Sequence, residues 1–420
     1  MAADTTLTDD LGPSPRAHGE TRAVISLVSV AHFYSHLFFM LLPPLYPILT
    51  GALSVDYTQL AWLLVVFNVV TGLTQAPLGV LVDRIGAGKL LIAAVAIQGV
   101  ALAGIAVFPT YPLMMIAMGI AGVANAIYHP ADYAILSHRI PSDAMGRAFA
   151  VHTFSGFMGG AVAPSAVIAL TTLWGWQAAL GFIGVTGLVM AAVLFASRSA
   201  LIEPEADQEA DAQKSKAPLS WREWFAIMSS RPILLTLVFW ILISASSNGV
   251  TYFAVSALTE AFATPLVAAN IALTAYLVGG SMGILAGGLI GDRTTHHQWV
   301  VVFGCAGAGI GTIAAGLTQL PTVVLAGVLF IAGIAWGIPT PSRDLLARAV
   351  APKGATGAVF GFVSTGFNIG GVIGPLVFAY FLDHHMPEWV FPVSGALMIV
   401  TGLLVLAIPE RKPVNPSAAS

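Results

Sequence analysis

The chain has 420 residues, of which 57% are hydrophobic and 9% are charged, and its formal net charge is −3. Soluble domains carry roughly 25% charged residues, so this composition excludes a soluble fold and indicates a polytopic membrane protein. The single cysteine, Cys305, excludes a disulfide framework, and without a basic cluster nucleic acid is not expected as a partner.

Residues 1–22 are polar, and acidic residues dilute the basic Arg16 and Arg22. They lack the apolar core of a signal peptide and are predicted to form a disordered cytoplasmic tail. Twelve apolar segments follow, each with about the 20 residues that a bilayer-spanning helix needs. They cover residues 24–50, 58–82, 88–108, 111–138, 146–173, 175–198, 231–259, 265–291, 297–318, 321–348, 355–382 and 387–409. Lipid offers the backbone no hydrogen-bond partners, so all twelve are predicted helices and the fold class is all-α.

One long polar segment, residues 199–230, separates the first six spans from the last six. The predicted organisation is a tail (1–22), an N-terminal six-helix bundle (23–198), a cytoplasmic linker (199–230), a C-terminal six-helix bundle (231–410) and a second cytoplasmic tail (411–420). Within the linker, Leu219–Met228 is rich in aromatic residues. It is predicted to be a helix in the membrane interface.

The basic residues predict the sidedness of the chain. With the N-terminus inside, every Lys and Arg outside the spans falls on a cytoplasmic segment. The charged residues on the other side are acidic: Asp56, Glu260, Asp383 and Glu388. The positive-inside rule therefore predicts cytoplasmic N- and C-termini and a multi-pass protein of the inner (cytoplasmic) membrane.

Residues 121–164 and 332–375 align with each other without a gap, which indicates two copies of one structural unit. The shared prolines, Pro130 with Pro341 and Pro164 with Pro375, are predicted to be helix hinges. Among the positions where the copies differ are His129/Thr340, Asp132/Arg343 and His152/Val363, each with an ionisable residue in at least one copy. We expect the shared residues to build the scaffold and the differing residues to handle substrate and protons.

The loop after span 2 and the loop after span 8 share a motif in which Gly stands four residues before Asp-Arg. The first copy contains Gly79, Asp83, Arg84 and Gly86, and the second contains Gly288, Asp292 and Arg293. At this position the motif resembles the signature loop of the major facilitator superfamily. That resemblance covers essentially the whole chain and implies two pseudo-symmetric six-helix bundles.

The same resemblance implies that the span 2–3 loop lies against the start of span 11. A carboxylate is stabilised at a helix N-terminus by the helix dipole and the free N–H groups. We therefore expect Asp83 to cap 355–357, and Asp292 by symmetry to meet 144–146. Such contacts would act as a cytoplasmic latch. The alternative is that the loop is a plain positive-inside anchor.

Three short motifs point to one branch of that superfamily. Span 1 contains Ser35-His36 and Tyr46-Pro47, and span 4 contains Tyr128-His129-Pro130. These motifs resemble the fosmidomycin-resistance branch, which has an acidic residue about where this chain has His36. The resemblance implies a secondary transporter that is proton-coupled and often an exporter.

Ionisable groups within membrane spans are costly and usually mark functional pathways. Spacing places His32 with His36 on one helix face and His129 with Asp132 on another, while His152 lies in span 5. Histidine titrates near neutral pH, so these residues are candidates for proton coupling. The alternative is that they are neutral groups hydrogen-bonded between helices. Two histidines make a weak zinc site, so no metal and no cofactor are predicted.

Arg343 and Asp132 occupy equivalent positions in the two copies and are predicted to form an ion pair that gates the cytoplasmic mouth of the cavity. Alternatively, Arg343 binds an anionic substrate or pairs with its neighbour Asp344. Asn248, Tyr252 and Asn368 are candidate cavity residues whose alternative role is interhelical hydrogen bonding.

The sequence predicts a monomeric, alternating-access secondary transporter of a small organic solute and not an enzyme, with protons and the lipid bilayer as its other partners. Nothing in it resembles a phosphate-binding loop, so the energy source is predicted to be an ion or substrate gradient. Proton-coupled export of a drug or anionic metabolite is the first interpretation. Proton-linked uptake of a small carboxylate is the alternative.

Overall fold

The computed structural model describes residues 15–141, 144–202, 221–352 and 355–409. Within these ranges every element of regular structure is helical. Twelve helical segments are long and apolar enough to cross a membrane, which confirms the predicted fold class. They are Gly19–Leu53, Tyr57–Ile85, Ala87–Val107, Tyr111–Arg139, Met145–Trp174, Trp176–Ala196, Arg231–Phe262, Leu266–Gly291, His297–Ala315, Thr322–Val350, Ala358–Asp383 and Pro387–Ala407, and they are called spans 1 to 12.

Three spans are built from more than one helix. Span 1 joins helices Pro15–Phe39 and Tyr46–Leu53 through a 3-10 turn at Pro43–Leu45. Span 10 divides at Ile338 into Thr322–Gly337 and Pro339–Val350, so the predicted hinge Pro341 lies in the first turn after the break. Span 12 contains Pro387–Trp389, Val390–Leu404 and Val405–Ala407. The helix of span 11 runs over Thr356–Asp383, and the short helices Arg198–Leu201 and Trp221–Met228 lie outside the spans.

The other predicted hinges, Pro130, Pro164 and Pro375, lie inside continuous helices. Residues 15–22, predicted as part of the first tail, are helical. Most of that tail (1–14), most of the linker (203–220) and the C-terminal tail (411–420) lie outside the described residues. The sidedness of the chain stays a prediction, and "outer end" below means the end predicted to face outside.

The two halves pack their helices in the same pattern. Span 1 packs on span 5, span 2 on span 4 and span 3 on span 6, and the same pairs recur as 7 with 11, 8 with 10 and 9 with 12. The halves meet along two equivalent seams, span 2 with span 11 and span 5 with span 8. This arrangement is what an internal duplication of a six-helix unit produces.

Shared glycines make the equivalent helix contacts possible. A Cβ at Gly159 would overlap the backbone carbonyl of Phe33 in span 1, and a Cβ at Gly370 would overlap that of Ile241 in span 7. Small residues let helix backbones approach closely in membranes, where no hydrophobic force drives helices together. The glycines of the repeat are therefore packing positions.

Candidate functional site

Five of the predicted site residues come together in one cluster inside the N-terminal half. The ring of His32 in span 1 stacks on that of His152 in span 5, with centroids 3.9 Å apart and planes 3° apart. The rings of His36 and His129 have their centroids 4.8 Å and 5.3 Å from that of His32. Asp132 bonds to His152 and completes what we call the histidine–aspartate cluster.

The local helix packing explains why the His32 ring lies where it does. Gly156 is one turn from His152 on span 5. A Cβ at Gly156 would lie 2.5 Å from Cε1 of His32. The missing side chain therefore leaves the space that the His32 ring occupies.

The hydrogen bonds of the cluster leave three atoms unused. Nδ1 of His32 donates to the backbone carbonyl of His152 at 2.9 Å, and Nε2 of His152 lies 2.9 Å from Oδ2 of Asp132. Nε2 of His32, Nδ1 of His152 and Oδ1 of Asp132 are buried and have no hydrogen-bond partner among the described residues. Buried polar atoms are normally paired, so three orphans in one cluster call for an explanation.

The members of the cluster differ in solvent exposure, from accessible to fully buried. His129 is exposed and His36 is partly buried, whereas His32, His152 and Asp132 are 4%, 1% and 0% exposed. Successive ring contacts therefore connect an accessible imidazole to a buried carboxylate. Such a series offers a proton a stepwise route into the protein.

The ring geometry does not suit a single metal ion. One ligand atom each from His32, Asp132 and His152 lie within 4.8 Å of one another. An imidazole binds a metal in the plane of its ring, through its nitrogen lone pair. The His32 and His152 planes are parallel and stacked, so both rings cannot point at one ion in this arrangement.

Arg343 lies in the other half and does not pair with Asp132 in this structure. Its Nε and Nη2 atoms are both 2.8 Å from Oδ1 of Asp344. Its guanidinium carbon lies 4.7 Å from the ring centroid of Trp240 and 5.1 Å from that of Phe367. A cation over aromatic faces is stabilised by the ring quadrupoles, so local partners hold Arg343 in place. The gating pair stays a prediction for another conformation.

The remaining predicted cavity residues lie at helix contacts. Nδ2 of Asn248 donates to the carbonyl of Gly370 at 3.0 Å, joining spans 7 and 11. Asn368 lies against Gly72 on the seam between spans 2 and 11. Tyr252 is partly buried against the apolar core.

The predicted gating residues lie at the ends of spans 2 and 8 and not wholly in the loops as expected, because both helices continue into the motif. Gly79, Asp83 and Arg84 belong to the last two turns of span 2, and Gly288 belongs to the last turn of span 8. Gly79 lies beside Pro130, and a Cβ at Gly288 would meet open space. Gly86 ends span 2 with a φ of 103°, a conformation that favours glycine. The side chains of Asp83, Arg84, Asp292 and Arg293 are exposed. The side chains at 356 and 357 lie outside the described residues, so the latch stays a prediction.

Sequence reasoning missed Trp240, Phe367 and the outer contact made by Asp383. One signal was available for Phe367, because the gapless alignment of the two copies pairs it with Gly156. The glycine leaves room for a histidine ring in one half, and the phenylalanine places a ring beside an arginine in the other. Trp240 and Asp383 carried no such signal, since both act through contacts distant in sequence.

Among the described residues, twelve candidate membrane spans form two halves with equivalent helix pairing, and buried ionisable groups lie inside the N-terminal half. This combination is typical of a membrane transporter. The family model of the Major Facilitator Superfamily matches residues 28–262 and 237–420. The chain therefore belongs to this superfamily and is a multi-pass membrane transporter and not an enzyme.

Several curated proteins and solved structures resemble the chain, including the following four. An uncharacterised MFS-type transporter of Mycobacterium tuberculosis is 28% identical over 43% of this chain, which matches only 27% of that relative's length. The fosmidomycin resistance protein of Escherichia coli is 22% identical over 93% of both chains. The gallate transporter of Pseudomonas putida is 26% identical over 46% of this chain and 44% of its own. A bacterial homologue of the human lysosomal transporter Spinster has the same fold, with a TM-score of 0.74, 15% identity and coverage of 96% and 100%.

Proposed function

We propose that this chain is a proton-coupled secondary transporter that exports a drug or an anionic metabolite across the inner membrane by alternating access. The observation that carries this proposal is the histidine–aspartate cluster, in which three buried atoms have no hydrogen-bond partner within the described part of the chain. An intramembrane group of this kind needs a functional reason, because burying it unpaired costs free energy. Proton binding supplies that reason.

Proton uptake would begin at His129, the exposed member of the cluster. From there a proton can reach Nε2 of His32, whose other nitrogen already donates to a carbonyl. The stacked His152 and its bonded carboxylate, Asp132, complete the route. The equivalent positions in the second half hold Thr340, Arg343 and Val363, so proton handling is assigned to the N-terminal half.

A second candidate function is proton-linked uptake of a small carboxylate. It is supported by Arg343, a mostly buried cation with 13% of its side chain exposed. The similarity to a gallate transporter supports the same candidate, whereas the similarity to a fosmidomycin resistance protein supports export. Both candidates use the same cluster for protons and differ in substrate and direction.

Transport by purified protein in proteoliposomes tests the proposal. Under an imposed pH gradient, a panel of fosmidomycin, gallate and other small organic anions would be screened while internal pH is recorded. We expect transport of at least one solute to be accompanied by proton movement. The sign of the internal pH change distinguishes uptake of the solute together with protons from export of the solute in exchange for protons. Transport of a solute without any proton flux would contradict the proposal.

A variant of the cluster makes the test specific. His152→Asn removes a titratable ring while keeping a polar side chain, and we expect it to reduce proton-coupled flux by about tenfold or more. His296→Asn is the control, because His296 is exposed and lies outside the spans. Equal coupling in the two variants would show that the cluster does not carry the protons.

A further inference from the structure

The surroundings of Arg343 in the C-terminal half have the chemistry of an anion site. Nε and Nη2 of its guanidinium both contact the same oxygen of Asp344. A guanidinium fork fits two carboxylate oxygens in parallel, one for each N–H group. Asp344 is the next residue in the chain and makes the contact with a single oxygen, so the fork is incompletely matched.

A second donor beside Arg343 lacks an acceptor. Nε1 of Trp240 is buried and has no hydrogen-bond partner among the described residues. The indole nitrogen can only donate. The guanidinium lies over the same ring, so two donor groups share this site with one protein carboxylate.

The site also offers aromatic surface. The rings of Trp240 and Phe367 pack edge to face with centroids 4.7 Å apart, and the guanidinium lies over both. Phe367 is only partly buried. A planar apolar body near Arg343 can therefore pack against Phe367.

We propose that Arg343, Trp240 and Phe367 form the binding site for an aromatic monocarboxylate, and that Asp344 occupies the arginine fork until the substrate carboxylate displaces it. This inference rests on the proposed transport function and names its substrate class. The half-exposed Asp344 side chain, 44% accessible, can turn away into solvent at little cost. The substrate carboxylate then takes both N–H groups of the fork, and its ring packs on Phe367.

Binding of benzoate to the purified full chain in detergent, measured by calorimetry at one fixed pH, tests the assignment. Cyclohexanecarboxylate keeps the charge without the aromatic ring, and benzyl alcohol keeps the ring without the charge. We expect benzoate to bind more tightly than both. Equal binding of the two acids would overturn the aromatic part of the proposal, and equal binding of benzyl alcohol would overturn the anion site.

Two substitutions with opposite expected effects test the mechanism. Asp344→Asn removes the competing carboxylate and should tighten benzoate binding about threefold. Arg343→Lys keeps the charge but loses the fork and should weaken binding about tenfold. Trp389→Phe, at a half-exposed tryptophan of the outer end, is the control. Weaker binding in Asp344→Asn would mean that Asp344 positions Arg343, and would overturn the displacement mechanism.

The two proposals fail separately. If benzoate does not bind while another solute moves with protons in a His152-dependent manner, the substrate assignment is wrong and the proposed function stands. If benzoate binds as expected but proton flux does not depend on His152, the anion site stands and proton coupling through the cluster is wrong.

Discussion

At Gly156 a single missing side chain determines where the His32 ring can lie. A Cβ there would be 2.5 Å from Cε1 and 2.7 Å from Nδ1 of that ring. These atoms belong to a side chain and not to backbone, so the ring can move away without unfolding the helix pair. The glycine therefore controls the geometry of the cluster without belonging to its chemistry.

We predict that Gly156→Ala keeps the protein folded but reduces proton coupling. The added methyl group would push the His32 ring off His152 and break the stack, while every titratable group stays in place. Coupled flux in proteoliposomes should fall about tenfold, the loss expected when a proton-transfer group is misplaced. Gly146→Ala in the same helix is the control, because a Cβ at Gly146 would meet open space. Equal coupled flux in the two variants would show that proton coupling does not depend on the stacking of the His32 and His152 rings.

The residues of the cluster were partly predictable from the sequence. Helical spacing placed His32 beside His36 and His129 beside Asp132, and all four lie in the cluster. The partner of Asp132 was not predictable, because His152 comes from another helix. Internal symmetry favoured Arg343 instead. Symmetry relates backbone positions, whereas each of these side chains pairs with the nearest suitable group.

Two carboxylates cap the start of span 2, one from the residue before it and one from span 11. Asp56 forms a capping box with Gln59: its Oδ1 accepts from the Gln59 N–H at 2.6 Å, and Gln59 accepts from the Asp56 N–H at 3.0 Å. Asp383, at the end of span 11, accepts from the N–H groups of Tyr57 and Thr58 at 2.8 Å and 2.9 Å. It also accepts from the Thr58 hydroxyl at 2.6 Å. One half of the protein thus caps a helix of the other.

We predict that Asp383→Asn favours opening of the outer end. An amide loses the charge that strengthens these bonds, each worth roughly 1.5–3 kcal/mol to a charged acceptor. Loss of even one such bond shifts a two-state equilibrium about tenfold. Spin labels attached at Ala52→Cys and Val267→Cys, which are exposed positions in different halves, would report the distance between the halves at the outer end by pulsed EPR. Cys305 is buried and should not react with the spin label.

The matched control for this experiment is Glu388→Gln at the same end. Glu388 is exposed, and its side chain makes no hydrogen bond to the described residues. In Glu388→Gln, the distances between the two spin labels should be distributed as in the parent protein. An unchanged distribution in Asp383→Asn would show that the carboxylate is not a latch.

Span boundaries were more predictable than contacts between spans. A helix that crosses a bilayer needs about 20 apolar residues, so each span can be located from the sequence alone. All twelve predicted spans are confirmed. The division of span 10 coincides with Pro339 and Pro341, residues that the sequence also displays. The contact of Asp383 with Tyr57 joins residues 326 positions apart. Spacing along one helix carries no information about such a pair.

Across the whole molecule, described contacts hold the halves together at the outer end. Besides the cap by Asp383, the hydroxyl of Tyr57 donates to Glu260 at 3.0 Å. On the other seam, the hydroxyl groups of Ser165 in span 5 and Thr274 in span 8 lie 2.7 Å apart. Alternating access requires the outer ends of both seams to separate once in each cycle, so a covalent bond across one of them should stop the cycle.

We predict that the double variant Ser165→Cys with Thr274→Cys is active when reduced and inactive when oxidised. The hydroxyl oxygens that the sulfur atoms would replace are already close, so a disulfide needs only small side-chain movements. Cys305 is buried and should not compete. Oxidation should block transport in proteoliposomes and reductant should restore it, while each single variant stays active throughout. Full transport by the crosslinked protein would mean that the span 5–8 seam does not open in the cycle, so that solute passes without the halves separating there.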